Sequence, residues 1–185
     1  MSFINHNNVN TIVKKLDQII SKYNIFIESG TFGGETIVNL RNSFQTLYTI
    51  ELSEKYYEYF DEIKNREKYY NIQNLFGDTV KVLPKILDSL KETDRVIFWL
   101  DGHWSSLDTA KGEKDCPVIE ECISIDHLYK SNEAIILIDD YRLFGTYIAE
   151  DWSDVTEENI LKCFKNFKII QHFVEEDILV LHIKK

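Results

Sequence analysis

The sequence contains little proline and glycine, with only 2 and 7 of these residues among 185. It also lacks internal repeats, low-complexity tracts and any flexible linker that would divide it into two halves. With this length, these absences favour a single domain over residues 1–185, in which residues 1–22 form an N-terminal helical extension.

Cysteine and long apolar runs are also scarce. The three cysteines, Cys116, Cys122 and Cys163, are odd in number and have no CxxC spacing, which excludes a disulfide framework or a zinc knuckle. No apolar run approaches the roughly 18–20 residues that span a bilayer, and the polar start MSFINHNNVN has no signal-peptide hydrophobic region. We therefore expect a cytoplasmic protein with reduced thiols and no membrane partner.

Basic side chains are the minority, 21 against 31 acidic ones, and the formal net charge is −10. Proteins that bind nucleic acid through its phosphates carry a basic face, so nucleic acid is not an expected partner. The acidity is uneven: residues 1–100 hold 12 basic and 13 acidic side chains, and residues 101–185 hold 9 and 18. The surplus is either a solvated surface or, in part, a set of carboxylates that converge on a cation.

Apolar segments of strand length alternate along the chain with segments of helical periodicity. The predicted strands are residues 23–28, 46–51, 71–76, 95–100, 134–138, 168–174 and 178–183. The predicted helices are residues 11–22, 34–42, 56–63, 79–90, 115–129 and 157–167. This alternation predicts an α/β fold: a doubly wound, Rossmann-like sheet of seven mostly parallel strands with an antiparallel C-terminal edge hairpin.

Sheets of this kind bind ligands at the carboxyl ends of their strands, so the residues that follow each strand matter most. The glycine-rich run ESGTFGG, residues 28–34, follows the first strand and would let backbone approach a ligand closely. Its spacing excludes a P-loop and fits GxGxxG poorly. Glu51 ends the second strand and Asp78 follows the third. The structural alternatives are a tight turn, a surface acid and, for Asp78, a helix cap.

Further acids follow the next two strands. Asp101 and, two residues later, His103 follow the fourth strand, and Asp139 and Asp140 follow the fifth. Three carboxylates brought together by adjacent strands would repel one another unless a cation lay between them. Oxygen ligands favour Mg²⁺ or Mn²⁺ over zinc. The alternatives are a turn-capping Asp101, a hydrogen-bonded Asp139 and an ordinary loop histidine.

The series ESGTFGGET, YTIEL, FGD, WLDGH and LIDDY resembles the motifs of class I S-adenosylmethionine-dependent methyltransferases, from about residue 23 onward. The resemblance implies that the glycine turn lies against the methionine part of the cofactor. It also implies that the acid after strand two binds the ribose and the acid after strand three meets the adenine amine. The implied cofactor-binding residues are Glu28, Gly30, Thr31, Phe32, Gly33, Glu51, Leu52, Asp78 and Asp101.

The acids after strands four and five are similar to those of metal-dependent sugar and natural-product O-methyltransferases of the macrocin type. This resemblance implies Mg²⁺ or Mn²⁺ held by Asp101, Asp139 and Asp140, and catalysis by Asp101 with His103 as the base. The implied reaction is methyl transfer to a hydroxyl of a sugar, glycan precursor or related small metabolite. A metal would lower the pKa of that hydroxyl, and an imidazole that titrates near neutrality could take its proton.

Two long segments, residues 102–117 and 141–154, follow these strands and are expected to form walls of the acceptor site. Their tryptophans, Trp104 and Trp152, either face a sugar ring or anchor the loops. The cationic groups expected there for an anionic acceptor are Lys111, Lys114 and Arg142.

Two rival functions remain at this stage. The first is an NAD-linked oxidoreductase of the same fold, against which the glycine spacing argues. The second is a methyltransferase-like module that binds a metabolite without turnover. Because the sequence has no separate substrate domain, a homo-oligomer or another partner could complete the pocket.

Overall fold

The structure, a computed structural model, describes residues 22–105, 109–148 and 150–185. Its strands are β1 (Ile25–Ser29), β2 (Thr46–Glu51), β3 (Ile72–Phe76), β4 (Val96–Leu100), β5 (Glu133–Ile138), β6 (Lys168–Glu175) and β7 (Ile178–Lys184). Its α-helices are α1 (Glu35–Leu40), α2 (Glu54–Arg66), α3 (Thr79–Ser89), α4 (Val118–Leu128) and α5 (Glu157–Cys163). The helix predicted over residues 11–22 lies outside the described residues.

The strands form one sheet in the order β3-β2-β1-β4-β5-β7-β6. Strands β1 to β5 pair in parallel, and β7 runs antiparallel between β5 and β6. The predicted α/β sheet with its antiparallel C-terminal hairpin is confirmed. Strand order reverses between β1 and β4, and this switch point is where sheets of this class place their ligand sites.

Alternate residues of the central strands supply two separate cores, one on each face of the sheet. In β4, Val96 and Phe98 pack with α3, α4 and α5, whereas Ile97 and Trp99 pack on the face covered by α1 and α2. All five β4 residues are buried. A strand covered on both faces must be apolar at every position, which is why RVIFWL shows no polar alternation.

Helix α5 is shorter than predicted, because it ends at Cys163 rather than near residue 167. The carboxylate of Asp126 on α4 accepts the backbone N–H groups of Lys165 and Asn166, at 3.0 and 2.9 Å. These N–H groups would otherwise continue the helix. A buried acid distant in sequence therefore terminates α5, and no local pattern carries that information.

The amino ends of β4 and β5 are joined by one buried side chain. The Tyr129 hydroxyl accepts the N–H of Val96 at 2.9 Å and lies 2.8 Å from the Asp94 carbonyl and 3.0 Å from that of Glu133. Burial raises the pKa of Tyr129 to about 12, so the phenol keeps the proton that it donates. This network lies at the end of the sheet opposite the acids that follow the strands.

Within the described ranges, none of the helices has both the length and the apolar character needed to cross a membrane.

Candidate active site

A cavity of about 680 Å³ opens at the carboxyl ends of β1, β2, β3 and β4. The glycine turn after β1 forms one wall. A Cβ on Gly30 would overlap the Asp101 carbonyl, and a Cβ on Gly34 would overlap the Phe60 ring, whereas a Cβ on Gly33 would meet open space. Gly30 and Gly34 therefore allow close backbone packing, and Gly33 leaves room for a ligand.

Glu51, at the end of β2, is fixed by backbone donors. One carboxylate oxygen accepts the N–H of Phe32 at 2.8 Å, and the other accepts that of Ser53 at 2.7 Å. Each carboxylate oxygen can accept a second hydrogen bond, so the group remains able to bind hydroxyls. Phe32 has a left-handed backbone (φ 46°) and its ring is half-exposed beside Tyr56, with centroids 4.4 Å apart.

Asp78 both caps a helix and lines the cavity. Its side chain accepts the N–H of Val80 at 3.0 Å at the start of α3, as the structural alternative expected. Its other oxygen lies 3.7 Å from the Lys81 ammonium. The loop residue Gly112 packs close to both Asp78 and Leu52, so three chain segments meet at this end of the cavity.

Glu28 lies in β1 beneath the glycine turn and is fully buried. Its carboxyl accepts the Thr49 hydroxyl at 2.8 Å, and the hydroxyls of Thr49 and Thr31 lie 2.6 Å apart. Burial, assisted by the charge of Glu51, raises the pKa of Glu28 to about 8. Thr31 is buried in this network, whereas Gly30, Phe32 and Gly33 line the cavity.

The acids after β4 and β5 come together beside the part of the cavity that Asp101 and His103 line. Asp101, His103 and Asp140 each place one possible ligand atom within 4.8 Å of the others. Asp140 has a left-handed backbone (φ 57°) and is 1% exposed. Burial and the nearby carboxylates of Asp139 and Asp140 raise the pKa of Asp101 well above its usual value. Asp139 is buried beside this group but is not among its three members.

The carboxyl of Asp139 is also affected by its surroundings. Burial, followed by the charge of Asp140, raises its pKa to about 7. Repulsion of this kind favours either protonation or a bound cation.

His103 packs into this corner with one ring nitrogen toward the acids. Its Nε2 lies 3.1 Å from Asp140 Oδ2, and its ring meets that of Trp152 edge-on at 5.0 Å. The side chain is only 8% exposed, and burial lowers the pKa of His103 against the opposing effect of Asp140. A neutral imidazole is the form that can accept a proton.

Several buried polar atoms of this corner have no hydrogen-bond partner within the described part of the chain. They are Nδ1 of His103 and both carboxylate oxygens of Asp140, although each of these two oxygens has one ion-pair contact, Oδ1 with Arg142 and Oδ2 with His103. Buried polar groups in proteins are normally satisfied, so such atoms are a sign of an absent ligand. The carboxylate oxygens fit Mg²⁺ or Mn²⁺, and the neutral Nδ1 of His103 is an atom that can accept a proton.

The three cations expected to meet an anionic acceptor are all engaged with acids. Lys111 pairs with Asp115 at 2.7 Å, and Lys114 pairs with Glu120 at 2.5 Å. Arg142 pairs with Asp140 at 2.5 Å and also contacts Asp177. The sequence could not predict these pairs, because they depend on how the loops fold.

The two tryptophans have different surroundings. Trp152 is buried, where it packs against His103 and Phe144, and it anchors its loop. Trp104 lines the cavity, and the Lys111 ammonium lies 4.4 Å from the centre of its ring. Only Trp104 therefore offers a face to a cavity ligand.

Sequence reasoning missed two acids near the site. Glu121 on α4 is fully buried beside the cavity floor, where one oxygen accepts the Thr79 hydroxyl at 2.8 Å. Asp177 lies in the turn between β6 and β7 and contacts Arg142. Neither acid follows a parallel strand, so the strand-end pattern gave no signal for them.

No protein-family model matches the chain, and no curated protein is similar to it in sequence. Solved structures do share its fold. The O-methyltransferase TomG from Streptomyces achromogenes, in complex with SAM, is 17% identical with a TM-score of 0.63, covering 100% of this chain and 81% of TomG. A SAM-dependent methyltransferase from Aquifex aeolicus is 12% identical with a TM-score of 0.57, covering 97% of each chain.

SMU.1697c from Streptococcus mutans, in complex with SAH, is 16% identical with a TM-score of 0.58, covering 96% of this chain and 97% of that one. At these identities the likeness establishes the fold, a Rossmann-like fold shared with methyltransferase structures. The site itself must carry any conclusion about function.

Proposed function

We propose that this protein is an S-adenosylmethionine-dependent, divalent-metal-assisted O-methyltransferase that acts on a hydroxyl of a sugar, glycan precursor or related small metabolite. The observation that carries the proposal is one cavity with two chemically different ends. The glycine turn, Glu51 and Asp78 lie at one end, and Asp101 and His103 lie at the other. A methyl donor and an acceptor would then meet within the same cavity.

The cofactor end suits a nucleoside that carries a positive charge. Glu51 is held by two backbone N–H groups and keeps acceptor capacity for ribose hydroxyls, and both Asp78 and Leu52 line the cavity where the base would lie. The cavity lysines are already paired, Lys81 with Glu113 at 3.3 Å and Lys114 with Glu120. This charge pattern supports a sulfonium cofactor over the pyrophosphate of NAD.

At the acceptor end, we propose that Asp101, Asp140 and Asp139 hold the metal. Asp101 and Asp140 already belong to the group of possible ligands that lie within 4.8 Å of one another. The metal, when bound, would lower the pKa of the acceptor hydroxyl. His103 would take the proton at Nδ1, while its Nε2 stays oriented by Asp140 at 3.1 Å. The chain otherwise supplies position, since methyl transfer is an in-line displacement.

An uncharged acceptor fits the walls best. Because Lys111, Lys114 and Arg142 are bound to acids, no anionic group is needed to neutralise them. Trp104 offers an aromatic face of the kind on which sugar rings stack. These two observations support a neutral hydroxyl compound such as a carbohydrate.

Calorimetry with S-adenosylhomocysteine tests the cofactor assignment. We expect saturable binding by the wild type and a loss of about tenfold or more in Glu51→Gln, because the ribose loses a charged acceptor. Glu54→Gln, an exposed acid three residues later, is the matched control and should bind normally. Absence of heat and of a thermal shift in the wild type would refute the cofactor assignment, and NAD binding in its place would favour the oxidoreductase.

A further inference from the structure

Arg142 contacts the acid group, which consists of Asp101, Asp139 and Asp140, and the proposed chemistry gives this arginine no role. Its guanidinium Nη1 lies 2.5 Å from Asp140 Oδ1 and also contacts Asp177 Oδ2. The side chain is 48% exposed, whereas Asp140 is 1% exposed. The Arg142 guanidinium is thus shared between a buried carboxylate, Asp140, and a more exposed one, Asp177.

Asp177 contacts the backbone of Arg142 as well as its guanidinium. Its Oδ1 accepts the backbone N–H of Arg142 at 2.7 Å, and its carbonyl accepts that of Tyr141 at 2.9 Å. Asp177 has a left-handed backbone (φ 69°) in the β6–β7 turn. The position of Arg142 therefore does not depend on its contact with Asp140.

Asp140 needs positive charge because it is buried, as is its neighbour Asp139, and because Asp101 has a carboxylate oxygen within 4.8 Å. Within the described residues, the basic side chains recorded within 4.0 Å of Asp140 are Arg142 and His103. Arg142 is permanently charged and is the effective counter-ion.

We propose that Arg142 is a built-in competitor of the divalent cation for Asp140, and that Asp177 is the alternative partner that receives the guanidinium when the cation binds. This inference rests on the metal half of the proposed function. On this proposal, the affinity for the cation depends on how Arg142 divides its contacts between the carboxylates of Asp140 and Asp177. Removing the arginine should strengthen cation binding, and removing the charge of Asp177 should weaken it.

Titration of the full chain with Mn²⁺, followed by electron paramagnetic resonance without cofactor or acceptor, tests the competition. Arg142→Gln should bind Mn²⁺ about tenfold more tightly than the wild type, because a competing charge is lost. Asp177→Asn should bind it about threefold or more weakly, because the arginine then pairs with Asp140 alone. The asparagine can still accept the backbone N–H of Arg142, so the turn is preserved.

Two control variants separate local competition from net charge. Lys162→Gln removes an exposed cation paired with Glu158, and Glu176→Gln removes an acid of the same turn as Asp177. Both should bind Mn²⁺ within twofold of the wild type. A purely structural role for Arg142 would weaken Mn²⁺ binding in Arg142→Gln, whereas the competition strengthens it.

Weaker or unchanged Mn²⁺ binding in Arg142→Gln overturns the inference, and so does unchanged or tighter binding in Asp177→Asn. If Arg142→Gln does not fold, as judged by circular dichroism, Asp177→Asn decides alone. Wild-type binding that is lost in Asp101→Asn but unaffected by Arg142→Gln retains the metal site and rejects only the competition. Absence of Mn²⁺ binding in the wild type and Arg142→Gln alike overturns the metal half of the proposed function as well.

Discussion

Gly34 begins α1 at a point where no side chain fits. Its φ of 77° is left-handed, and a Cβ there would overlap the buried ring of Phe60 on α2. Gly33, one residue earlier, has open space at the same position. Two adjacent glycines of the same turn therefore have different roles, one in packing and one in leaving space for a ligand.

Gly34→Ala should lower the free energy of unfolding by about 3 kcal/mol, from the left-handed backbone and the overlap with Phe60 together. Gly33→Ala should change it by less than about 0.5 kcal/mol, because its methyl group meets nothing. Urea denaturation of both variants measures the difference. Equal losses in the two variants would contradict this division of roles.

At the residue scale, the sequence was informative wherever an acid directly follows a parallel strand. Glu51, Asp78 and Asp101 could be placed at the cavity because topology alone brings strand ends together. The partners of Lys114 and Arg142 could not be predicted. Those contacts depend on loop conformations, which a hydrophobic pattern does not encode.

Among the elements, α4 carries a carboxyl group where helices of this fold normally bury apolar side chains. Glu121 is fully buried between Cys122 and the cavity floor, and its Oε2 has no hydrogen-bond partner in the described part of the chain. Burial raises the pKa of Glu121 to about 7, against the lowering effect of the Thr79 hydrogen bond. The folded protein therefore holds a proton that the unfolded chain releases at lower pH.

The stability that this proton provides is fully present below the ordinary glutamate pKa of 4.5 and is lost as pH rises through about 7. In the wild type, the free energy of unfolding should fall between pH 4.5 and 8 as Glu121 loses its proton. Glu121→Gln should reduce that fall by on the order of 3 kcal/mol. Denaturant unfolding at several pH values measures it. Glu58→Gln, at an exposed position of α2, should keep the wild-type pH profile. An unchanged profile in Glu121→Gln would reject the assignment.

The elements also show where local patterns stop being informative. The predicted strands agree with the observed ones to within two residues at each end, because buried apolar runs are unambiguous. Helix α5 ended early because Asp126 takes the N–H groups that would have extended it. Helix α4 begins at Val118, after Pro117, rather than at the predicted residue 115. The end of α5 was set by a residue distant in sequence, whereas the start of α4 follows a proline directly beside the helix.

On the scale of the whole molecule, a network that stabilises the fold lies at one end of the sheet, and the proposed active site lies at the other. Tyr129 ties the amino ends of β4 and β5, and the cavity lies beyond their carboxyl ends. Five strand residues at about 3.3 Å each place roughly 16 Å between the two. Changes at one end should leave the other intact.

Tyr129→Phe should destabilise the protein by about 1–3 kcal/mol, since it leaves the buried N–H of Val96 without its acceptor and the carbonyl that receives the hydroxyl proton without its donor. Its affinity for S-adenosylhomocysteine should stay within twofold of the wild type. Tyr70→Phe, at an exposed tyrosine, is the matched control and should change neither quantity. A large loss of affinity in Tyr129→Phe would show that the two ends are coupled.

Strand β7 lies between β5 and β6, although it follows β6 along the chain. Strand β7 is the only neighbour of β6 in the described sheet, so β6 can join the sheet only together with β7 or after it. The turn of that hairpin carries Asp177, which fixes Arg142 beside Asp140. Topology thus places a condition on assembly: Asp177 can fix Arg142 beside Asp140 only after β7, which comes last in the chain, has paired with β5.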